Sequence, residues 1–325
     1  MKRLFLVIVI AALAYSGWWF YAANDLRRTV AAWFEEQRGA GWDASYSDIA
    51  VRGFPNRTDL TLTDANLQSA DGTFGWQAPF FQILGLAYKR GHVIVAWPNT
   101  QSIQTQDGTV DITSERLRAS VVFSDDLILR SNLEADVLTL AGPDQTIALA
   151  GLNAALEKIE PSSAGYRVAL SIDGIAVSDP RVQGTHVPDA LATLRADTAL
   201  ELSAPLSLDT SAKNPPQIDL LTVRNMQVDY GTLTLKMSGE TAFDQQGRAT
   251  GEVTIEAQNW RDALQTAQKN GALPPGVSDA VQNVLTLIAS LNGARDTLDV
   301  TLGLDRGTVL LGPLPVGRLP PQQWP

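Results

Sequence analysis

The feature that most constrains this chain lies at its beginning. After Met1-Lys2-Arg3, the run from Leu4 to Ala23 is apolar almost without a break, interrupted only by Ser16 and Gly17. As a helix rising about 1.5 Å per residue, some twenty such residues reach roughly 30 Å, the thickness of a bilayer's hydrocarbon core. A cleaved secretory signal is the competing reading, because Ala12-Leu13-Ala14 offers a small-x-small cleavage site. The apolar run nevertheless continues through Tyr15, Trp18, Trp19, Phe20 and Tyr21. Aromatics of this kind settle at a membrane–water boundary, which favours an uncleaved anchor over residues 1–23. Lys2 and Arg3 argue for a cytoplasmic N-terminus, with Arg27 and Arg28 pulling weakly the other way, so the remainder is expected outside the cytoplasm.

Composition narrows the chemistry. The chain has 325 residues, 45% of them hydrophobic and 18% charged, enough to bury a sizeable core in one long domain or two ordinary ones. A net charge of −10 disfavours nucleic acid as a partner, since phosphates would be repelled. The absence of cysteine removes disulfides, thiolate ligands, cysteine nucleophiles and a lipid-modified cysteine tether together. With His92 and His186 as the two histidines, a multi-histidine metal site or a serine triad is not expected, and no cofactor is implied.

Beyond the anchor, Asn24-Asp25 can cap a stalk helix over 24–41, in which Leu26, Val30, Trp33, Phe34 and Gln37 follow at helical spacing up to Gly39 and Gly41. From Trp42 the period becomes two. Tyr46–Val51 and Thr58–Thr63 predict a strand pair around the breaker Gly53-Phe54-Pro55-Asn56, and His92–Trp97 predicts another strand, stopped by Pro98. Between them Phe74, Trp76, Phe80, Phe81, Ile83 and Leu86 form a dense apolar patch broken by Pro79, too irregular for a clean helix or a regular surface strand. Short strands continue as a meander, with similar texture in the second half and a division near residue 160. Helices are expected at Trp260–Lys269 and Ala280–Leu291, and an extended Pro-rich tail closes the chain. The fold class is therefore mainly β (α+β): a transmembrane helix, then an elongated, curved antiparallel sheet forming a groove or a sandwich over 42–325, with a few helices.

The chain carries no phosphate loop, zinc-helix motif or nucleophile elbow. Asp125-Asp126 could in principle serve a two-carboxylate hydrolase, but it falls in a turn between strands. An alternating apolar face tied to a membrane points to a different task. If left open, such a face becomes a trough for acyl chains, each of whose methylenes costs about 0.8 kcal/mol to expose to water. Leu60, Leu62, Val93, Val95 and Trp97 share the parity expected of that face. Phe74, Trp76, Phe80 and Phe81 would form either a lip at the membrane or a core plug. Arg52, Arg57, Lys89 and Arg90 flank the same strands and could receive a lipid phosphate, or could be scattered surface cations.

The run Val51-Arg52-Gly53-Phe54-Pro55-Asn56-Arg57, with Phe74-Gly75-Trp76-Gln77-Ala78-Pro79 and Val93–Pro98, resembles an alphaproteobacterial envelope family, domain of unknown function 2125. The later Gly231–Leu235, Asp244–Gly247, Gly251–Ile255 and Gly312–Pro315 are similar in the same way. The resemblance implies kinship with AsmA-like envelope proteins, which have one inner-membrane helix and a β-groove linked to lipid transport. It therefore implies a single-pass inner-membrane protein with a periplasmic domain, non-enzymatic, binding membrane lipid or another apolar ligand in envelope maintenance, with other envelope proteins as possible partners. A scaffold for protein–protein interaction and an Asp/Glu-dependent hydrolase are the alternatives. Edman sequencing of the membrane-extracted protein is expected to start at Met1, whereas a mature start near Tyr15 or Asn24 would show the anchor to be a cleaved signal.

Overall fold

The computed structural model describes residues 1–178, 192–208, 215–261 and 297–322. His186 and the helices expected after Arg261 lie outside the described residues. The chain divides into two compact units, the first made of residues 1–124, 131–148 and 177–183 and the second of 125–130, 149–176 and 184–325.

Unit 1 begins with one continuous helix, α1 (Lys2–Gly39, 38 residues). Asn24 does not cap a new helix. No proline or glycine interrupts the segment there, so the helical hydrogen-bond ladder runs on until Gly41, whose φ of +91° turns the chain away. Tyr15, Trp19, Ala23, Leu26, Val30 and Phe34 recur every three or four residues and lie along one stripe of α1. Trp19, Ala23 and Phe34 on that stripe are buried.

The sheet beneath the helix is built from β1 (Asp43–Ser45), β2 (Asp48–Arg52), β3 (Arg57–Gln68), β4 (Gly75–Leu86), β5 (Lys89–Ala96), β6 (Thr100–Thr105), β7 (Gly108–Glu115) and β8 (Arg118–Ser124), with residues 131–141 of β9 (Leu127–Ala141). The strands pair antiparallel. β2 and β3 make the expected hairpin, with Ile49 opposite Leu62 and Val51 opposite Leu60. The apolar patch around Pro79 is one twelve-residue strand, β4, along which the sheet forks. Its first residues pair with β6 and its last with β5. Pro79, which has no N–H to donate, stands at the fork opposite Asp64, whose φ is +49°, and the β3–β4 ladder skips this pair. Beyond the fork the order is not a simple meander, because β5 continues to β8 while β6 continues through β7 to β9.

Antiparallel register fixes which side chains share the helix-facing side. Leu60 pairs with Ile83 and Leu62 with Phe81, while Ile83 pairs with Val95 and Gly85 with Val93. Phe34, Ala44, Ile49, Leu60, Leu62 and Ala65 form the buried cluster, with Leu26, Val30 and Phe81 packed against it. Trp19, Ala23 and Ala87 form a second cluster.

Unit 2 contains residues 149–158 of β10 (Thr146–Lys158) and 165–176 of β11 (Gly165–Ser178), together with β12 (Ala192–Leu202), β13 (Ile218–Tyr230), β14 (Leu233–Phe243), β15 (Ala249–Gln258), β16 (Thr297–Asp305), β17 (Thr308–Leu311) and β18 (Leu314–Arg318). Each strand from β11 to β18 pairs antiparallel with the next. Its interior includes Tyr166, whose hydroxyl accepts the Leu206 N–H at 2.9 Å, and the cluster Ala257, Trp260 and Leu298. The Pro-rich tail is partly a strand, β18, which proline tolerates because it pairs only with β17 among the described residues. Phe34→Ala is expected to lower unfolding free energy by about 3–5 kcal/mol through the cavity it leaves. Trp33→Ala, at a position 44% exposed, should cost roughly half that or less in the same denaturant titration.

Candidate functional site

The helix does not cover the whole apolar side of the sheet. Its stripe rests on β2 and β3, and beside it a cavity of about 490 Å³ opens between α1 and the strands β3 to β5. Trp18, Tyr21, Ala22, Asp25, Leu26, Thr29 and Val30 form the helix wall, and Thr58, Leu60, Ile83, Gly85, Leu86, Ala87 and Val93 form the sheet wall. Gly85 contributes width. A Cβ there would come within 3.5 Å of the Thr58 hydroxyl and 3.9 Å of Val93, so a larger side chain would narrow the floor. From Trp18 to Val30 the helix wall extends about 18 Å. The volume lies within the roughly 300–1,000 Å³ of ordinary ligand sites, and the lining is largely apolar with a few polar groups at its rim.

The ionisable side chains near its apolar walls are Asp25, Lys89 and His92. His92 Nε2 lies 2.8 Å from the Ser120 hydroxyl, a structural pairing that holds the ring against β8. Arg52 ends β2, Arg57 begins β3 and Lys89 begins β5, while Leu86, the last residue of β4, pairs with both Arg57 and Lys89. The three cations thus gather at one end of the sheet, all exposed, with Arg57 bound to Asp59 at 2.8 Å. The side chain of Arg90 lies outside the described residues.

The nine residues expected along an apolar groove divide among several places. Leu60, Val93 and Val95 stand on the helix-facing side, with Leu60 and Val93 in the groove wall, while Leu62 is buried under the helix. Trp76, Phe81 and Trp97 form a ring relay, each successive pair 5.7 Å apart. Trp76 Nε1 donates to the Gln101 side chain at 2.8 Å. Phe80 alternates with Phe81 and pairs with Thr63, which puts it on the opposite face of the sheet. Phe74 precedes β4, 41% exposed, with its ring 6.4 Å from Trp42. It is held there by the β3–β4 turn, where Asp71 accepts the Ser69 and Thr73 hydroxyls and Ser69 in turn accepts the Phe74 N–H. Those hydrogen bonds, the Ser69 one foremost, push the Asp71 carboxyl down to about 2. Its contribution to the turn is therefore present above the ordinary carboxylate value of 3.8 and is lost as pH falls through about 2. The four aromatics are accordingly neither one lip nor one plug.

The helix wall itself was missed from sequence. Trp18, Tyr21 and Ala22 sit within a run so uniformly apolar that no periodicity distinguishes a protein-facing side from a lipid-facing one. The Asp125-Asp126 pair lies in a turn, both residues at positive φ of 47° and 65°. Among the described residues no group of three His, Cys, Asp or Glu is placed to hold a metal. A second, shallower depression of about 630 Å³ beside the fork is lined by polar side chains, among them Asp64, Gln77, Gln101 and Asp111, together with Ala65, Ala78, Pro79 and Ile112. Phe81→Ala is expected to destabilise the fold by about 2–3 kcal/mol, a partly buried version of the usual core loss. Phe74→Ala should leave the melting temperature nearly unchanged.

No curated protein and no solved structure matches the chain. A family match covers residues 19–320, and the chain belongs to that family, described as an uncharacterized protein conserved in bacteria (DUF2125).

Proposed function

We propose that the protein, whose family membership assigns no activity, is an inner-membrane-anchored, periplasmic binder of lipid or another apolar ligand in envelope maintenance. The observation that carries the reading is the apolar groove whose wall is a continuation of the membrane-spanning part of α1. The helix is long and apolar enough to cross a bilayer, with a mean hydropathy of 1.9 over its best eighteen-residue stretch. The same helix supplies Trp18, Tyr21 and Ala22 to the groove. A ligand leaving the bilayer along α1 thus meets apolar surface without first crossing water, where each exposed methylene would cost about 0.8 kcal/mol.

Retention of α1 is part of the reading. Trp19 is 3% exposed and donates its indole N–H to the Arg57 carbonyl at 2.9 Å, and Ala23 packs with it against Ala87. Cleavage near Tyr15 or Asn24 would cut through or beside this packing, and the family match includes Trp19. The protein binds without catalysing a reaction, and its kinship with AsmA-like proteins belongs to the same proposal. Arg52, Arg57 and Lys89 would face the headgroups.

Full-length protein extracted in mild detergent is expected to carry co-purifying phospholipid, detected by native mass spectrometry. Val93→Trp, which fills the groove, should abolish most of that lipid while leaving the melting temperature within a few degrees of the parent. Absence of bound lipid in the parent, or undiminished lipid in a folded Val93→Trp variant, would overturn the reading.

A further inference from the structure

The hairpin loop between β2 and β3 does not stop at the end of the sheet. It climbs alongside the apolar part of α1. Phe54 stacks on Phe20 with ring centroids 5.6 Å apart and meets Trp19 edge-on at 5.5 Å. Farther along the helix, Tyr15 donates its hydroxyl to the Pro55 carbonyl at 2.7 Å. The first charge after Arg3 is Asp25, which marks the end of the apolar segment. At about 1.5 Å per residue, Phe20 stands roughly 8 Å and Tyr15 roughly 15 Å from Asp25 along the helix, within its apolar segment. If α1 spans the membrane, the loop must follow it below the level of Asp25.

Irregular backbone survives in that setting only when its polar groups are already satisfied. Four of this loop's five carbonyls meet the condition. The Gly53 carbonyl accepts the Arg57 N–H at 2.8 Å, the Pro55 carbonyl accepts the Tyr15 hydroxyl, the Asn56 carbonyl accepts the Ala87 N–H at 2.9 Å, and the Arg57 carbonyl accepts the Trp19 indole. Pro55 has no N–H to satisfy. Gly53, at φ +106°, cannot be replaced without crowding, since a Cβ would lie 2.6 Å from that of Arg57. Phe54 is nevertheless 47% exposed, and Tyr88, in the adjacent β4–β5 turn, is 74% exposed. A loop that presents an aromatic ring to its surroundings while tying two of its carbonyls to an apolar helix suits an apolar medium better than water. Arg52, Arg57 and Lys89 follow immediately behind, at the strand ends where a phosphate layer would lie.

We infer that Gly53–Arg57 and the Tyr88 turn form a second membrane contact, with Phe54 and Tyr88 immersed in the bilayer's interfacial region. The partner is the phospholipid surface around α1. The contact holds the sheet end against the bilayer so that the groove opens at the level of the acyl chains. It rests on α1 spanning the membrane, as in the proposed function, but not on lipid occupying the groove.

The absence of native cysteine makes the test direct. Leu6→Cys, Phe54→Cys, Tyr88→Cys and Asp107→Cys, each labelled with an environment-sensitive fluorophore, are reconstituted as full-length chains in phosphatidylethanolamine–phosphatidylglycerol nanodiscs with or without brominated acyl chains. Position 6 reports the spanning helix, and position 107 an exposed turn of the same unit. Labels at 54 and 88 are expected to emit to the blue of that at 107 and to be quenched several-fold more. Quenching at 6 with positions 54 and 88 no different from 107 would overturn the inference and leave the anchor intact. Lack of quenching at 6 would overturn both this contact and the spanning helix, whatever the groove binds.

Discussion

The packing of α1 on the sheet through the stripe from Trp19 to Phe34 is the contact on which the rest of unit 1 depends. It closes the core over Ile49, Leu60 and Leu62, and it fixes the orientation of a membrane-compatible helix relative to a folded domain. A free helix joined by a flexible linker would satisfy the sequence just as well but would leave the sheet's apolar face to water. With roughly 25 cal/mol for each Å² of apolar area covered, a stripe about 22 Å long stabilises the arrangement substantially. The groove is the part of that face which the cylinder of the helix cannot reach, widened where Gly85 lacks a side chain.

Much of the β architecture was legible in the sequence because burial on one face imposes a period of two. The β2–β3 hairpin, the β5 strand, the shared parity of Leu60, Leu62, Val93 and Val95, and the turn character of Asp125-Asp126 all follow from alternation and turn chemistry. The strand around Pro79 was not legible. Proline in a strand normally argues against one, and only the fork in pairing, where β4 passes from β6 to β5, shows why a missing donor is tolerated there. The placement of Phe80 on the opposite face from Phe81 is simple alternation, obscured while the segment was not read as a strand.

The helix wall of the groove was hidden for a different reason. Within Leu4–Ala23 every position is compatible with lipid, so the residues that face protein carry no compositional mark. The link between Tyr15 and Pro55, or between Trp19 and Arg57, is a hydrogen bond across about forty residues of sequence and is visible only in three dimensions. The reverse is also true: the aromatics at 15–21, read from sequence as a membrane boundary, divide their labour. Trp19 is buried in protein, while Phe20 and Tyr21 are 60% and 71% exposed toward the helix's surroundings.

The central claim is that the space between α1 and β3–β5 is occupied by lipid drawn from the surrounding membrane. Photocrosslinking tests it most directly: a diazirine amino acid close to leucine in size, placed at Val93 in the groove wall, is irradiated in native membranes and the adduct mass is read on the intact protein. A phospholipid adduct is expected at Val93 and none when the same probe stands at Asp107. Adducts of equal yield at both positions, or none at Val93 in a folded protein, would contradict it.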